Sequence, residues 1–426
     1  MDLDDALQQK AKMRMASFQK GLGPFIPAPD AQAIDTREWN LLREDLSLPA
    51  AVLYEEKLAH NLAWMKQFIE AYGIQIAPHG KTTLAPALFS RQLAAGAWGI
   101  TLATAHQTAV AYQHGVRRVL MANQLVGKQN MALISRLLED RDFHYFCLVD
   151  SAELVDQLGA FFRGKNQQLQ VLLELGVPAG RTGARNAEQV EEIIKALSKW
   201  ANSILLRGVE VYEGVLDDEA QIRAFLDRAV ETTQELARRD LFAAGPVILS
   251  GAGSAWYDVV AEAFSKAKVD APLEVVLRPG CYLTSDGGSY RKAQERIMAC
   301  NPIARQMRSS LLPALQVWAY VQSVPEKRRA IIGLGKRDAA FDSGLPLPAL
   351  MYRPGGERPI SVTAGWRLTK MMDQHAYMEI GEGDDIRVGD MIAFDISHPC
   401  LTFDKWRYLS VVDASYNVLD LIETFF

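Results

Sequence analysis

A histidine and a lysine two residues apart are the side chains of this sequence with the clearest capacity for chemistry. His79 and Lys81 follow the short β-branched run Ile74–Ala77. In a continuous strand the two side chains would share one face, because strand residues alternate between faces. A lysine whose pKa is lowered by burial becomes a nucleophile that forms Schiff bases with carbonyl compounds. A solvated loop lysine is the competing interpretation.

A second pair of chemically capable residues lies near the end of the chain. His398 and Cys400 follow the apolar run Met391–Ile396. In extended chain both side chains would point to one face, and imidazole with thiolate is a ligand set that favours zinc. Two ligands make an incomplete site, so a buried cysteine beside a hydrogen-bonded histidine is the alternative. His375 is a further candidate for metal binding or proton transfer, or else a polar residue at a sheet edge.

The segments that must position these residues alternate regularly between strand-like and helix-like patterns. Eight strand-like runs separated by helix-like stretches predict a (β/α)8 TIM-like barrel, with a doubly wound open sheet as the competing fold. The eight runs span residues 74–77, 99–103, 118–123, 144–149, 169–175, 208–212, 246–250 and 274–277.

After residue 290 the pattern changes to short β-rich runs separated by turn signals such as Gly355-Gly356, which predicts an all-β domain. We therefore expect an N-terminal helix and strand in residues 1–56, with the strand joining the β-domain. Residues 57–290 are expected to form the barrel and residues 291–426 the C-terminal β-domain.

Two loops of the predicted barrel have the composition of a phosphate site. Barrel enzymes carry their chemistry at the carboxyl ends of the strands, and phosphate often binds after strands seven and eight. The seventh run leads into the small residues 250–254 (Ser-Gly-Ala-Gly-Ser), and the eighth into residues 278–282 (Arg-Pro-Gly-Cys-Tyr). Small residues let backbone N–H groups approach an anion. Gln75 and Trp256 stand where the P-loop and dinucleotide motifs need glycine, so neither motif is present.

The composition limits the partners and the compartment. The chain has 426 residues, with 46 Lys and Arg against 51 Asp and Glu, so its net charge of −5 offers no electrostatic basis for nucleic acid or an anionic membrane. Four cysteines are widely spaced without a Cys-x-x-Cys pair, which suits a reducing cytoplasm. No signal peptide or membrane-length apolar run is evident. We expect a cytoplasmic protein.

Segments along most of the chain resemble one enzyme family. Residues 78–82 (Pro-His-Gly-Lys-Thr) are similar to the lysine motif of the fold-type III pyridoxal-phosphate enzymes related to D-serine dehydratase and D-threonine aldolase. Within that family the chain looks most like a bacterial branch labelled amino acid deaminase or D-serine deaminase-like protein. The further similar segments, in order, are residues 99–104, 120–123, 180–183, 250–253, 278–282, 342–346, 374–375 and 398–400.

The resemblance implies an alanine racemase-like barrel with bound pyridoxal phosphate and a β-domain, usually in a homodimer. Lys81 matches the Schiff-base lysine and His375 a second catalytic position, while His398 and Cys400 match metal ligands, with zinc expected because Cys400 supplies a thiolate. The positions expected to bind the cofactor are Lys81, His79, Arg181, Tyr212, Ser250, Gly251, Gly253, Ser254, Gly280, Cys281 and Tyr282.

The implied activity is dehydration and deamination of a D-3-hydroxy amino acid such as D-serine to a 2-oxo acid and ammonia. Aldol cleavage of D-3-hydroxy amino acids and amino-acid racemisation remain alternatives on the same cofactor. A non-catalytic pyridoxal-phosphate carrier, usually a barrel alone, and a cofactor-free binding module are the alternatives outside catalysis. Ala77, Thr83 and Leu84 depart from residues common in the family, which leaves the substrate open.

Overall fold

The computed structural model describes residues 19–23, 39–253 and 255–426, and these residues divide into two compact units. The first unit comprises Met1–Asn61, Leu283–Lys292 and Leu311–Phe426. The second comprises Leu62–Tyr282 and Ala293–Ser310. The helix predicted near the N-terminus lies almost wholly in residues 1–18, outside the described residues. No helix in the described ranges combines the length and the apolar character needed to cross a membrane.

Eight parallel strands form the sheet of the second unit. After β1 (Ala50–Tyr54) in the other unit, the chain continues through the strands β2 (Gln75–Ile76), β3 (Ile100–Leu102), β4 (Arg118–Gln124), β5 (His144–Val149), β6 (Leu169–Leu175), β7 (Ile204–Val211), β8 (Val247–Gly251) and β9 (Leu273–Leu277). Each strand from β3 to β8 pairs with the next one along the chain, and β9 also pairs with β2. Their apolar, mostly buried side chains form the core, as expected for parallel strands covered on both faces.

Backbone hydrogen bonds join the two ends of this sheet. The N–H of Trp98 donates to the carbonyl of Ile76 at 2.8 Å, and the N–H of Thr101 donates to the carbonyl of Pro78 at 2.9 Å. His79 forms an isolated parallel bridge with Thr101. The first strand therefore contacts both the second and the last, which confirms the predicted barrel and is incompatible with an open sheet.

Helices separate the barrel strands at the predicted places. Several begin at a side-chain cap, for example Thr104, Ser151 and Asn186, each of which accepts a hydrogen bond from a backbone N–H in the first turn. The helices are α1 (Glu55–Tyr72), α2 (Pro86–Ala94), α3 (Ala105–Gln113), α4 (Lys128–Leu137), α5 (Ala152–Gly164), α6 (Ala187–Lys199), α7 (Glu219–Arg238), α8 (Tyr257–Ser265), α9 (Ser289–Cys300) and α10 (Pro302–Met307).

The first unit is built from a largely antiparallel set of strands, as expected for a C-terminal β-domain. β1 pairs antiparallel with β10 and parallel with β17. The strands of the C-terminal segment are β10 (Leu315–Glu326), β11 (Arg329–Ile332), β12 (Leu347–Tyr352), β13 (Ile360–Ser361), β14 (Arg367–Met371), β15 (Ala376–Glu379), β16 (Met391–Asp395), β17 (Tyr408–Val412) and β18 (Val418–Glu423), with the short helix α11 (Cys400–Phe403) between β16 and β17.

Candidate active site

Lys81 lies in a turn beyond the first barrel strand. β2 ends at Ile76, and Gly80–Thr82 forms a single 3-10 turn in which the Lys81 side chain is exposed. The expectation that His79 and Lys81 continue a strand and share its face is therefore wrong. The chain turns at His79 because the Thr83 and Leu84 N–H groups both donate to the Gly80 carbonyl, which a straight strand does not allow. An exposed amine in this turn is accessible to a carbonyl compound.

His79 has a buried ring nitrogen, Nδ1. Its Nδ1 atom has no hydrogen-bond partner among the described residues. Burial lowers the pKa of His79 well below its usual value, and the nearby charges of Lys81, Arg278 and Arg181 lower it further. The imidazole is therefore neutral at neutral pH, and a buried neutral nitrogen without a partner is a feature that a bound polar group would satisfy.

The loop after β9 packs closely against the Lys81 turn. A Cβ atom on Gly280 would lie 2.7 Å from Thr82 Oγ1 and 3.0 Å from the His79 carbonyl oxygen, so only glycine fits there. The Cys281 thiol is buried and lies 3.8 Å from Thr82 Oγ1 in a weak hydrogen bond. The hydroxyl of Tyr282 accepts a hydrogen bond from Gln92 at 3.3 Å, and burial raises the pKa of Tyr282.

The loop after β8 also has the tight backbone predicted for a phosphate site. Gly251 ends β8, and Gly253 lies where a Cβ atom would come within 2.8 Å of Tyr212 Cε2. The Ser250 hydroxyl donates to the Val276 carbonyl at 2.9 Å, so this hydroxyl is hydrogen-bonded to the neighbouring strand β9. Ser254 falls outside the described residues. The two glycines permit close approach of backbone, while the Ser250 side chain supports the β8–β9 pairing.

Arg181 and Tyr212 contact each other at the same end of the barrel. The Arg181 guanidinium carbon lies 4.3 Å from the centre of the Tyr212 ring, and Arg278 lies 5.5 Å from it. Tyr212 directly follows β7, and Arg181 lies in the long connection after β6. A cationic group stacked on an aromatic ring holds that ring in place. The barrel thus brings Arg181, Tyr212, His79 and Lys81 into one charged region.

Three buried carboxylates in this region were missed by the sequence reasoning. Glu174, Glu210 and Glu213 are each at most 3% exposed, and Glu210 forms an ion pair with Arg278, which is also buried. Burial raises the pKa of Glu210 to about 7, although Arg278 opposes that increase. The signal was present in the sequence, because Glu174 and Glu210 are charged residues inside apolar strands near their carboxyl ends.

His375 lies in the first unit, in the tight connection between β14 and β15. Its side chain is exposed, and its carbonyl accepts a hydrogen bond from the Met372 N–H at 2.8 Å. The structure thus places it in a hairpin turn, as a polar residue beside a sheet edge.

His398 and Cys400 contact each other, although not through extended chain. Pro399 has helical backbone angles and Cys400 begins α11, so the expected strand geometry is wrong. The hydrogen bond between His398 and Cys400 raises the pKa of His398 to about 9, with Asp342 contributing to the increase. Asp342 Oδ2 lies 2.8 Å from His398 Nδ1 and thereby orients the ring. The buried Asp286 carboxyl lies close enough that both His398 and Cys400 affect its pKa.

This cluster fits a metal in part. A carboxylate behind a histidine is the usual outer partner of a metal-bound imidazole. In the residues that the structure describes, however, no group of three or more His, Cys, Asp or Glu side chains is arranged to hold a metal ion. His398 and Cys400 can therefore supply two ligands, and the remaining positions need water or substrate.

The second unit fits a pyridoxal phosphate group. A lysine is exposed in a turn, an unpartnered imidazole nitrogen lies beside it, and the two loops after β8 and β9 have no room for side chains at Gly253 and Gly280. Arg278 also has a buried Nε atom without a hydrogen-bond partner among the described residues. These are the features required to hold an aldehyde, a polar ring and a phosphate.

Two family models match the chain. The model described as "Alanine racemase, N-terminal domain" matches residues 54–283, more than half of the 426 residues. The model described as "Putative serine dehydratase domain" matches residues 314–412. The two matches follow each other along the chain in the order in which the barrel and the C-terminal strands occur.

Similar proteins include enzymes of two reaction types. The D-threonine aldolase of Arthrobacter sp. is 24% identical over 374 residues, covering 85% of this chain and 88% of the relative. The crystal structure of D-threonine aldolase from Filomicrobium marinum is 20% identical, with a TM-score of 0.73 over 89% of this chain and 95% of that one.

A dehydratase has a similar fold. The structure of D-threo-3-hydroxyaspartate dehydratase from Delftia sp. HT23 is 21% identical, with a TM-score of 0.68 over 91% of this chain and 99% of that one. A cysteine-to-alanine variant of D-threo-3-hydroxyaspartate dehydratase, described as being in the metal-free form, has a TM-score of 0.70 at 21% identity, with the same shares covered. The resemblance noted in the sequence is thus confirmed, and the chain belongs to the fold-type III family that combines an alanine racemase N-terminal domain with a serine dehydratase-type domain.

Proposed function

We propose that the protein is a pyridoxal-phosphate-dependent enzyme that converts a D-3-hydroxy amino acid of the D-serine type into a 2-oxo acid and ammonia. The observation that carries the proposal is Lys81, exposed in the turn after β2 beside His79, whose Nδ1 atom has no hydrogen-bond partner in the part of the chain that the structure describes. Membership of the fold-type III family supports the cofactor, and similarity to a hydroxyaspartate dehydratase supports the reaction class.

The residues of the chain have defined tasks in this reaction. Bound pyridoxal phosphate supplies an electron sink for the negative charge that develops at the substrate Cα. Lys81 would hold the cofactor in the resting enzyme, and its amine would accept the Cα proton. The Gly253 and Gly280 loops would hold the phosphate, and Tyr212 with Arg181 would contact the ring.

A zinc ion bound by His398 and Cys400 would assist departure of the substrate β-hydroxyl. Zinc lowers the pKa of oxygen ligands and so makes hydroxide a better leaving group. The hydroxyaspartate dehydratase supports this assignment, because its described variants replace a histidine and a cysteine two positions apart, and the cysteine variant is metal-free. His398 and Cys400 have the same spacing. Loss of water across Cα–Cβ, followed by hydrolysis, yields the 2-oxo acid and ammonia.

Aldol cleavage between Cα and Cβ is the second candidate, supported by the similarity to D-threonine aldolases over most of the chain. Its products are glycine and an aldehyde, and it needs a base at the β-hydroxyl where dehydration needs an acid. The thiolate of Cys400 leads us to prefer dehydration, because it selects zinc over the harder ions that carboxylate ligands favour.

The test is incubation with D-serine, D-threonine and D-threo-3-hydroxyaspartate, each with and without a chelator. We expect ammonia and 2-oxo acid in equal amounts, with the rate falling when the metal is removed. Glycine with aldehyde would instead establish the aldolase, and loss of chirality without ammonia would establish a racemase.

Lys81→Ala should abolish turnover together with the visible absorbance of the lysine-bound cofactor. Lys195→Ala, an exposed lysine on α6, is the matched control and should retain both. A Lys81→Ala protein that kept its visible band and its activity would remove Lys81 from the proposed role.

A further inference from the structure

The backbone amides that follow β8 already have an acidic partner within the protein. The N–H of Ala252 donates to Glu213 Oε2 at 3.1 Å, and the N–H of Gly253 donates to Glu213 Oε1 at 2.5 Å. Glu213 is fully buried, with 0% of its surface exposed. A carboxylate therefore occupies the two donors that a phosphate would use in this loop.

The local backbone is shaped to bring these groups together. Glu213 begins the 3-10 turn Glu213–Val215 directly after β7, which turns its side chain towards the neighbouring β8 loop. Ala252 has a φ of +79°, a left-handed conformation that directs successive N–H groups to one side. A Cβ atom on Gly253 would lie 3.2 Å from Glu213 Oε1, so glycine permits the close approach.

The charges around this contact do not favour a second anion. Arg278 is the positive group that most affects Glu213, and the same arginine is paired with Glu210. Burial raises the pKa of Glu213, whereas Arg278 and the amides of Ala252 and Gly253 act to lower it. One guanidinium thus compensates the charge of two buried carboxylates, and a phosphate placed beside them would be repelled by their negative charge.

We propose that Glu213 is an internal competitor for the phosphate seat formed by the Ala252 and Gly253 amides. A phosphate group can bind those amides only when the carboxylate leaves them, so Glu213 weakens cofactor binding. The Glu213–Val215 turn then rearranges when the phosphate binds. The inference rests on the proposed function, since it takes pyridoxal phosphate as the ligand of this barrel.

The test compares the wild type with Glu213→Gln after the cofactor has been removed from both. Glutamine keeps the shape of the side chain but is neutral and has one accepting oxygen instead of two, so it can accept from only one of the two amides. A hydrogen bond to a neutral group is also about half as strong as one to a carboxylate. Titration with pyridoxal phosphate, followed by visible absorbance, should show an apparent Kd about tenfold lower for E213Q. Pyridoxal, which lacks the phosphate, should bind both proteins equally.

Two controls separate this effect from a general change in charge or stability. Glu231→Gln removes the same charge from an exposed position on α7 and should leave the pyridoxal phosphate affinity unchanged. Inorganic phosphate should raise the melting temperature of the cofactor-free E213Q protein more than that of the wild type, which reports on the seat without the cofactor.

Unchanged or weaker binding of pyridoxal phosphate by E213Q would overturn the inference, as would an equal gain for pyridoxal. If E213Q fails to fold, a crystal structure of the wild type with phosphate decides the matter. Phosphate on the Ala252 and Gly253 amides with Glu213 moved away supports the proposal, and phosphate elsewhere with Glu213 in place refutes it. Failure of every protein to give a visible band would count against the proposed function, while the inorganic phosphate result would still test the seat.

Discussion

The buried ion pair between Arg278 and Glu210 makes a sharp prediction about stability. Arg278 is 3% exposed and Glu210 is 0% exposed, and Arg278 Nη2 also donates to the Val211 carbonyl at 2.8 Å. Arg278→Met removes the positive partner while keeping much of the side-chain volume. Because the buried carboxyl group of Glu210 then loses its compensating positive charge, we expect a loss of about 3–5 kcal/mol in the free energy of unfolding.

This loss should depend on pH in a defined direction. Burial raises the pKa of Glu210 to about 7 in the folded wild type, above the ordinary value for an unfolded chain. Between those two values the folded state holds a proton that the unfolded state releases, so the contribution of Glu210 to stability falls as pH rises. Without Arg278 the folded pKa rises further, and the penalty of Arg278→Met should therefore be larger at about pH 8 than at about pH 5.

The assay is urea unfolding of the cofactor-free protein, followed by circular dichroism at both pH values. Arg239→Met is the matched control, because its partner Glu191 is 53% exposed and a surface pair contributes about 1 kcal/mol or less. The double variant Arg278→Met with Glu210→Gln should recover part of the loss, since the side chain at position 210 is then neutral, while Glu213 still lacks Arg278. A penalty at about pH 8 no larger than that of Arg239→Met, or one independent of pH, would refute the reasoning.

The remaining predictions concern the metal ligand and the barrel backbone. Asp342→Asn should weaken zinc binding about 10–100-fold, because the carboxylate that orients His398 is lost. Competition with a coloured chelator would measure the zinc affinity, and equal affinity in the two proteins would argue against zinc on His398. Gly208→Ala would place a Cβ atom 1.8 Å from the backbone oxygen of Ile248 and should destabilise the fold by about 1–3 kcal/mol or more in urea unfolding. Gly164→Ala should stabilise the fold by about 0.5–1 kcal/mol, because Gly164 is the last residue of α5 and no atom lies within 4 Å of the added Cβ. Similar changes in stability for the two glycine variants would contradict this packing argument.

The barrel could be predicted from local patterns because its strands are short apolar runs and its helices are amphipathic. The limits of β5 and β6 agree with the predicted ones, since both strands are buried at all but one position and end at polar or glycine-containing loops. β12 has no clear strand pattern in the sequence, because Leu347–Tyr352 contains Pro348. It becomes a strand by pairing with β16 across a bulge between Pro348 and Leu350, and such pairing is not a local property.

Sequence alone determined which residues stand at the carboxyl ends of the barrel strands, because the order of strands along a parallel barrel determines which loops share its catalytic end. It thereby placed Lys81, Tyr212 and the two glycine-containing loops in one region. Only the tertiary structure decided how charges pair there. Glu213 meets the amides of Ala252 and Gly253 across 39 and 40 residues of chain, and Arg278 meets Glu210 from two strands away. Those contacts depend on the curvature of the barrel and on which side chain is placed near a shared donor. Neither property can be inferred from the periodicity or spacing of residues in the sequence.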